Sequence, residues 1–584
     1  MKVFRIPAKR PALKHLSTRS PIIILTPSKI APPMNAAEYN DTTFEKMVDE
    51  FLDERWKYNP TEATLEGIHD YDGELNQVDE ETIRGFLRKE EELLGKLDNF
   101  KNSDRLSPDR RLDLEILSDQ LRKDIVSDKK FNRFRRDPSV YVDIAVFSCL
   151  ALLLRDFAPV EERYLSLIRR LKEIPRLLMQ GMENLRTADS IPSVWLKIGK
   201  ESSQAAQKLF SDIILNRSGE VEELKNDLLA AATLASKAFK KYTEFLAERL
   251  SQKPEGDFAA GKEYFEFLLK EFHRLPYTAD EIEKTGSRYI ERTLAEIKKI
   301  AAEVGPGKDW TEVIEDIKNE TLPAGTLLDY YRDEIVRSRD FIVERDLVSI
   351  PEGESLEVVE TPASHRCTYP YAAYLMAPPF EEAQEGIFWV TPIDAAASES
   401  KKKEQFSGHS RAAIAVRSIH EGYPGHHLQF CHANRVKSKI RRLFGTPVFA
   451  EGWALYCEEL MRDQGYLNDS RTRLIQLKDQ LWRACRIVID VRLHSGRMSF
   501  DEAVDMLVDV ARLERTNAVA EVSRYSQTPT QPMSYLIGKI EIENLLEEYK
   551  KRFPEITLKE FHDQVLSYGT IPVALIHNSV LGTN

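Results

Sequence analysis

Thr43-Phe44-Glu45-Lys46-Met47-Val48-Asp49-Glu50-Phe51-Leu52-Asp53-Glu54-Arg55-Trp56 is the stretch that sets the fold class. Its apolar residues fall at Phe44, Met47, Val48, Phe51 and Leu52, the spacing of one face of an α-helix. The same period recurs along the chain and predicts helices over 80–98, 110–128, 140–155, 159–188, 193–216, 219–252, 261–272, 278–304, 311–319 and 325–345. Thr278 and Asp280 are placed to cap the helix at 278–304, and Gly305-Pro306-Gly307 ends it. One region departs from this pattern. Ser355–Glu360 alternates, and Tyr371–Ala377 and Gly386–Pro392 are rich in aromatic and β-branched residues, so a small β-sheet is expected there. Ala395–Ser410 reads as a polar, Lys-rich loop. No repeat of 20–50 residues is visible, which excludes a solenoid. The fold class is therefore mainly α with a small sheet.

Composition bounds the function. Of the 584 residues, 42% are hydrophobic and 30% charged, the balance of a folded globular chain. The longest apolar run, Ile144–Leu154, is interrupted by Ser148 and falls short of the roughly 20 residues that a membrane helix needs. The net charge of −12 argues against nucleic acid as a partner. Residues 1–34 stand apart, with seven Lys or Arg (Lys2, Arg5, Lys9, Arg10, Lys14, Arg19, Lys29), no acid and six prolines. The remaining residues thus carry −12 − 7 = −19. Two readings of this leader stand. A disordered tail, with Met34 as an alternative start, leaves a cytoplasmic protein; a transit peptide makes it mitochondrial. The five cysteines (Cys149, Cys367, Cys431, Cys457, Cys485) form no CxxC, and so sparse and odd a set suggests a reducing compartment. GxGxxG, P-loop and GxSxG motifs are absent from the sequence.

Four of the 12 histidines (His420, His426, His427, His432) lie within 13 residues. An apolar helix, Arg411–Ile419, leads into His420-Glu421-Gly422-Tyr423-Pro424-Gly425-His426-His427. A zinc hydrolase needs neutral imidazoles on one side of a metal and a carboxylate beside the bound water. HExxH meets this by placing two His one helical turn apart. Here the fourth residue after His420 is Pro424, which cannot ligate. On an ideal helix His426 would sit about 120° round from His420, and His427 about 10.5 Å along the axis. Pro424 disfavours helix at Tyr423, and Gly425 tolerates unusual backbone angles. A bulge that loops out two residues would bring His426 where a second ligand belongs.

The missing third ligand is expected downstream. In Pro447-Val-Phe-Ala-Glu451-Gly-Trp453-Ala454-Leu455-Tyr456-Cys457-Glu458, positions 451, 454, 455 and 458 share one helical face. Two carboxylates beside Ala and Leu are costly to bury unless something pairs with them, and a metal ion would do so.

His420-Glu421-x-x-Pro424-Gly425-His426-x-x-Gln429, followed by Glu451-Gly452-Trp453-Ala454-x-Tyr456-x-Glu458, resembles the domain-of-unknown-function 885 family. Asp490-x-x-Leu493-His494, Arg524-Tyr525, Gln531-x-x-Ser534-Tyr535-x-x-Gly538 and Phe561-His562-Asp563 extend the resemblance over roughly residues 40–580. The family is regarded as distantly similar to gluzincin zinc metallopeptidases such as thermostable carboxypeptidase Taq and thimet oligopeptidase. The resemblance implies one Zn²⁺ per chain held by His420, His426 and Glu451, with Glu421 as general base. An aromatic residue is tolerated by the family at His427, which favours His426 as the ligand. Thr530 stands before Gln531 where the family carries Gly, so this loop is expected to differ in shape. The implied architecture is a large helical body of two lobes around a central cleft; no linker is evident in the sequence, and the boundary is placed near residue 350, giving lobes 35–350 and 351–584, the second catalytic.

Five further residues complete the expected site. Tyr535 and His494 are candidates to polarise the substrate carbonyl; a core tyrosine and a helix-end histidine are the plain alternatives. Arg524, with Tyr525 and Gln531 beside it, is a candidate to bind substrate through a carboxylate clamp; an ion pair with Glu521 is its alternative. The segment at 371–392 offers a strand edge for a peptide. The function expected is a zinc-dependent metallopeptidase, a carboxypeptidase or dipeptidase on short peptides. A metal-dependent hydrolase or lyase on a small modified amide, and a non-catalytic helical scaffold, are the two alternatives.

Overall fold

The computed structural model of the protein describes residues 39–582, apart from 102, 218, 321–325, 362–365, 367–370 and 395–397. The basic leader and Cys367 lie outside the described residues. Capping chemistry sets the helix ends. The side chain of Asn40 accepts the Thr43 amide at 3.1 Å and opens the helix Asp41–Tyr58, whose buried face is Phe44, Val48, Phe51, Leu52 and Trp56. Thr278 and Glu281 form a reciprocal capping box at the start of Ala279–Val304, and Gly305 closes that helix. The long stripes become the helices Glu80–Phe100, Pro108–Lys130, Ser139–Leu154, Val160–Arg186, Ser193–Arg217 and Lys225–Glu248. Among the described residues, no single helix is long and apolar enough to cross a membrane.

Among the helices that the periodicity argument does not reach, two show why. Pro60–Glu66 is two turns long, set by Pro60 at its first position and by Gly67 at its end (φ 86°). Glu399–Ser407 replaces most of the expected Lys-rich loop. Its Glu, Lys and Gln residues are strong helix formers with no apolar stripe to reveal them.

The sheet has three strands, β1 (Glu354–Glu360), β2 (Ala372–Leu375) and β3 (Gln384–Val390), in the order β1-β3-β2. Strands β1 and β3 run parallel, with Val358 opposite Phe388; β2 and β3 run antiparallel, with Tyr374 opposite Phe388. Strand β3 is central and buries Phe388, Trp389 and Val390. The fold is thus mainly helical with one small sheet, as the sequence predicts.

One apolar core joins Leu52 and Leu117 to Trp453 and Ile576, so packing runs across residue 350. A second core, built on Tyr141, Leu171 and Phe239, fills the helices between residues 139 and 248. Where helices Pro60–Glu66 and Ser139–Leu154 face β2 and the stretch 441–450, a cavity of about 650 Å³ remains.

Candidate metal centre

The helix Arg411–Glu421 starts at Ser410, whose side chain accepts the Ala413 amide at 3.3 Å, and buries Ile414, Val416, Ile419 and His420. It stops where Gly422-Tyr423-Pro424 interrupts it; the Tyr423–Pro424 peptide is cis. The next helix, His426–Ala433, begins at once. The join explains the spacing of the motif. In an unbroken helix the amide of residue 423 would bond the carbonyl of Ile419. Here the Gly425 amide does so, at 3.0 Å. Two residues are therefore looped out, and His426 takes the place of a fourth residue after His420. The expected bulge is realised as a break between two helices. Only glycine fits at 425, since a Cβ there would lie 2.0 Å from the His420 carbonyl oxygen. Trp453 holds the loop by donating its indole N–H to the Pro424 carbonyl at 2.9 Å.

Trp453 belongs to the helix Pro447–Asp463, which also carries Glu451 and Glu458. This helix crosses Ser534–Arg552 at a backbone-to-backbone contact. A Cβ on Gly538 would lie 1.8 Å from the Val448 carbonyl oxygen, and one on Gly452 would lie 2.5 Å from the Gly538 Cα. Two glycines therefore fix how near Glu451, one residue before Gly452, comes to Tyr535, three before Gly538.

The three elements bring His420, His426 and Glu451 to one point, with one donor atom from each within 4.8 Å of the others. His426 Nε2 lies 3.2 Å and His420 Nε2 3.8 Å from Glu451 Oε2. Zinc bonds of about 2.0–2.2 Å in a tetrahedron separate ligand atoms by about 3.3–3.6 Å, so this donor set fits the ion. Behind it, His420 Nδ1 pairs with Glu458 Oε1 at 2.8 Å, a contact that turns Nε2 towards Glu451. The charges depend on one another. Burial opposes charge on His420, but hydrogen bonds with Glu451 and Glu458 raise it to about 10. Burial would raise the Glu451 carboxyl, but the two histidines hold it well below the usual carboxylate range.

His427, the alternative ligand, faces away. Its Nε2 pairs with Glu354 Oε2 on β1 at 2.6 Å, and Tyr423 donates its phenol to the same oxygen at 2.5 Å. Glu354, His427 and Cys431 also lie close enough to hold an ion. However, the His–Glu bond is direct, and Cys431 Sγ is 3.8 Å from both ring nitrogens, hence over the ring face. Burial pushes that thiol up to about 12.

The other candidate residues separate into two groups. Glu421 is half-buried, and its carboxylate meets no hydrogen-bond or ion-pair partner among the described residues. The Tyr535 ring stacks on the His420 ring with centroids 6.2 Å apart. Burial first, and then the Glu451 charge, raises its phenol above the ordinary value. Gln531, expected to touch substrate, instead donates from Nε2 to Glu451 Oε1 at 3.4 Å, and its own Oε1 accepts from Arg524 Nη1 at 2.7 Å. Arg524 also bonds Glu521 at 2.9 Å, the ion pair named as its alternative, yet keeps 38% of its side chain exposed.

His494 and Tyr525 are not brought to the cluster. Both nitrogens of His494 engage backbone: Nε2 donates to the Tyr525 carbonyl at 3.0 Å and Nδ1 accepts from the Ala260 amide at 3.2 Å. No N–H remains for a substrate, and burial lowers this imidazole to about 4. Tyr525 is fully buried, and its phenol accepts from Arg486 Nε at 2.7 Å and Trp482 Nε1 at 3.2 Å. Sequence reasoning passed over Arg486, whose guanidinium lies 4.5 Å from the Tyr535 ring centroid. The available signal was the polar stripe Arg483, Arg486, Asp490, His494 on an otherwise apolar helix face.

The family model described as "Bacterial protein of unknown function (DUF885)" matches residues 60–580. A structure from Shewanella oneidensis, described as a candidate lipoprotein of unknown function, is 24% identical with a TM-score of 0.76; the match covers 92% of this chain and 99% of that one. A second, described as a candidate lipoprotein from Colwellia psychrerythraea, is 19% identical with a TM-score of 0.79, covering 94% and 99%. At these identities the likeness is one of fold. No curated protein matches the chain.

Proposed function

The chain belongs to the DUF885 family, and on that premise we propose that it is a zinc-dependent amide hydrolase of gluzincin type, acting on short peptides as a carboxypeptidase or dipeptidase. The observation that carries this reading is the convergence of His420 Nε2, His426 Nε2 and Glu451 Oε2, with Glu458 behind His420. These three donors would hold the ion. Zinc bound there supplies a Lewis acid and lowers the pKa of water towards about 7.

The chain's own residues do the rest. Glu421, next to His420 and without a competing partner, accepts a proton from the attacking water and passes it to the leaving amine. The amide C–N bond breaks, the carbonyl carbon gains OH and the amine gains H. Tyr535, stacked on His420, donates a hydrogen bond from its phenolic O–H to the carbonyl oxygen as negative charge builds there, and keeps its proton. The Arg486 guanidinium lies over the ring and favours that charge. Gln531 and Arg524 form a relay that positions Glu451 through its other oxygen. The exposed part of Arg524 is suited to a free substrate carboxylate, which supports exopeptidase action.

The test is Glu421→Gln. Zinc measured by mass spectrometry stays near one equivalent while turnover of a dipeptide library falls by about 100-fold or more. Full turnover in this variant refutes the role of Glu421. Less than one-tenth equivalent of zinc in the unsubstituted protein, after zinc-supplemented expression, refutes the centre.

A further inference from the structure

The metal-ligand cluster lies between two unlike neighbourhoods. On one side stand Tyr535, Arg486 and Arg524. On the other, the His426 ring stacks on Phe430 at 6.0 Å, and Phe430 stacks in turn on Tyr374 of β2 at 6.4 Å. Phe430, Tyr374 and Ala450, the neighbour of Glu451, all line the cavity of about 650 Å³. The cavity therefore ends one ring from His426, at Phe430, and one residue from Glu451, at Ala450.

Its lining is mainly apolar and partly open. Leu65, Phe147 and Met376 line it with exposures of 38%, 45% and 46%. Nine large apolar side chains are this exposed among the described residues, and three of them share this one concavity. Single exposed apolar residues are ordinary, but a concave group of them marks a binding site. The nearest cations are already engaged: Arg155 bonds the carbonyls of Glu385 and Met376, and Arg55 pairs with Glu66 at 2.8 Å. Arg441 pairs with Asp113 at 2.9 Å and Arg442 donates to the Val436 carbonyl, so no lining cation is left free to hold an anionic occupant.

We propose that this cavity receives the acyl side of the substrate, and that preferred substrates are amides with a large apolar acyl group and a free carboxylate on the amine side. The inference rests on the hydrolase reading above for its orientation. A carboxylate at Arg524 places the amine half of the amide beside Tyr535, so the acyl half extends past His426 towards Phe430 and the cavity. The aliphatic and aromatic walls then remove the acyl chain from water, and chain length sets affinity.

The test is calorimetric and needs no turnover. Full-length, zinc-loaded Glu421→Gln protein is titrated with N-acetylglycine and N-hexanoylglycine, which differ by four methylenes. Full burial would tighten binding about fourfold per methylene, and partial burial still gives about 30-fold or more overall. Phe147→Glu and Met376→Glu, both at exposed positions, are expected to remove most of that difference. Affinities for the two ligands within twofold, absent binding of both, or an undiminished preference in both charge variants would overturn the proposal. The unsubstituted zinc protein separates the two readings. Length-dependent binding without hydrolysis of N-hexanoylglycine supports the cavity and removes the hydrolase. Hydrolysis with no length dependence does the reverse.

Discussion

Replacing Glu458 with Gln tests whether the His420 pair serves an ion or only the core. Glu458 is 1% exposed, and its Oε1 lies 2.8 Å from His420 Nδ1. Gln keeps the shape and an acceptor oxygen but removes the charge that makes the imidazole a better ligand. Loss of such a partner weakens metal binding by about 10- to 100-fold, or ~1.4–2.7 kcal/mol. The loss has a second, independent readout. At free zinc 1,000 times the wild-type Kd, binding stabilises the native state by ~4.1 kcal/mol; at the same zinc the variant gains only ~1.4–2.7 kcal/mol. Chelator competition gives the affinity, and chemical unfolding with and without zinc gives the stabilisation. Equal zinc affinity in both proteins would refute the orienting role. Zinc that stabilises neither protein would refute the centre itself.

Gly425→Ala is expected to lose zinc and about 2–4 kcal/mol of stability, because its Cβ meets the His420 carbonyl at 2.0 Å and forces the loop open; a zinc-binding variant of normal stability contradicts the register argument. Tyr535→Phe is expected to reduce turnover by about 10- to 1,000-fold with zinc content unchanged; undiminished turnover makes the phenol a packing group. Burial pushes His494 and His562 down to about 4 each. An unfolded histidine titrates near 6.5, so the unfolded chain takes up protons first. Their contribution to stability is complete above about pH 6.5 and falls as the pH drops towards 4, by up to ~3 kcal/mol each. Urea midpoints from pH 7 to 4.5 follow this, and His562→Gln should flatten the fall; an unchanged slope shows that His562 is not held neutral.

The parts of the molecule legible in its sequence are those fixed by neighbours along the chain. Stripes of period 3.6 gave the long helices, and alternation with aromatic residues located all three strands. The register of His420 and His426 was readable because Pro424 and Gly425 act on amides within six residues of one another. Glu451 was found because a carboxylate on an apolar helix face needs a reason to be there. What stayed hidden depends on how far-apart segments approach. Gln531 faces Glu451 rather than solvent because Ser534–Arg552 crosses Pro447–Asp463 at two glycines. His494 looked like a helix-end donor, and only the packing of residues 260 and 525 against it shows both nitrogens occupied. Arg486 sits on a helix read for its last residue alone.

This division follows from what holds the donors. His420 and His426 belong to one continuous segment, and their separation is set by a loop whose shape the backbone of Gly425 permits and Trp453 secures. Glu451 arrives on another helix, and its distance from them depends on Trp453 again, two residues away on the same helix. The indole that fixes the loop therefore also fixes the carboxylate's reach to it. Glu458, one further turn along, returns to His420. A ligand set tied at both ends in this way cannot relax far when empty, and burying two carboxylates in so stiff a frame costs stability unless cations face them. Burial opposes charge on His420, but those same carboxylates raise its pKa to about 10. The arrangement is thus a poor one for a purely structural core, where apolar residues of equal volume would pack at lower cost. The zinc proposed above would set a fixed positive charge against those carboxylates.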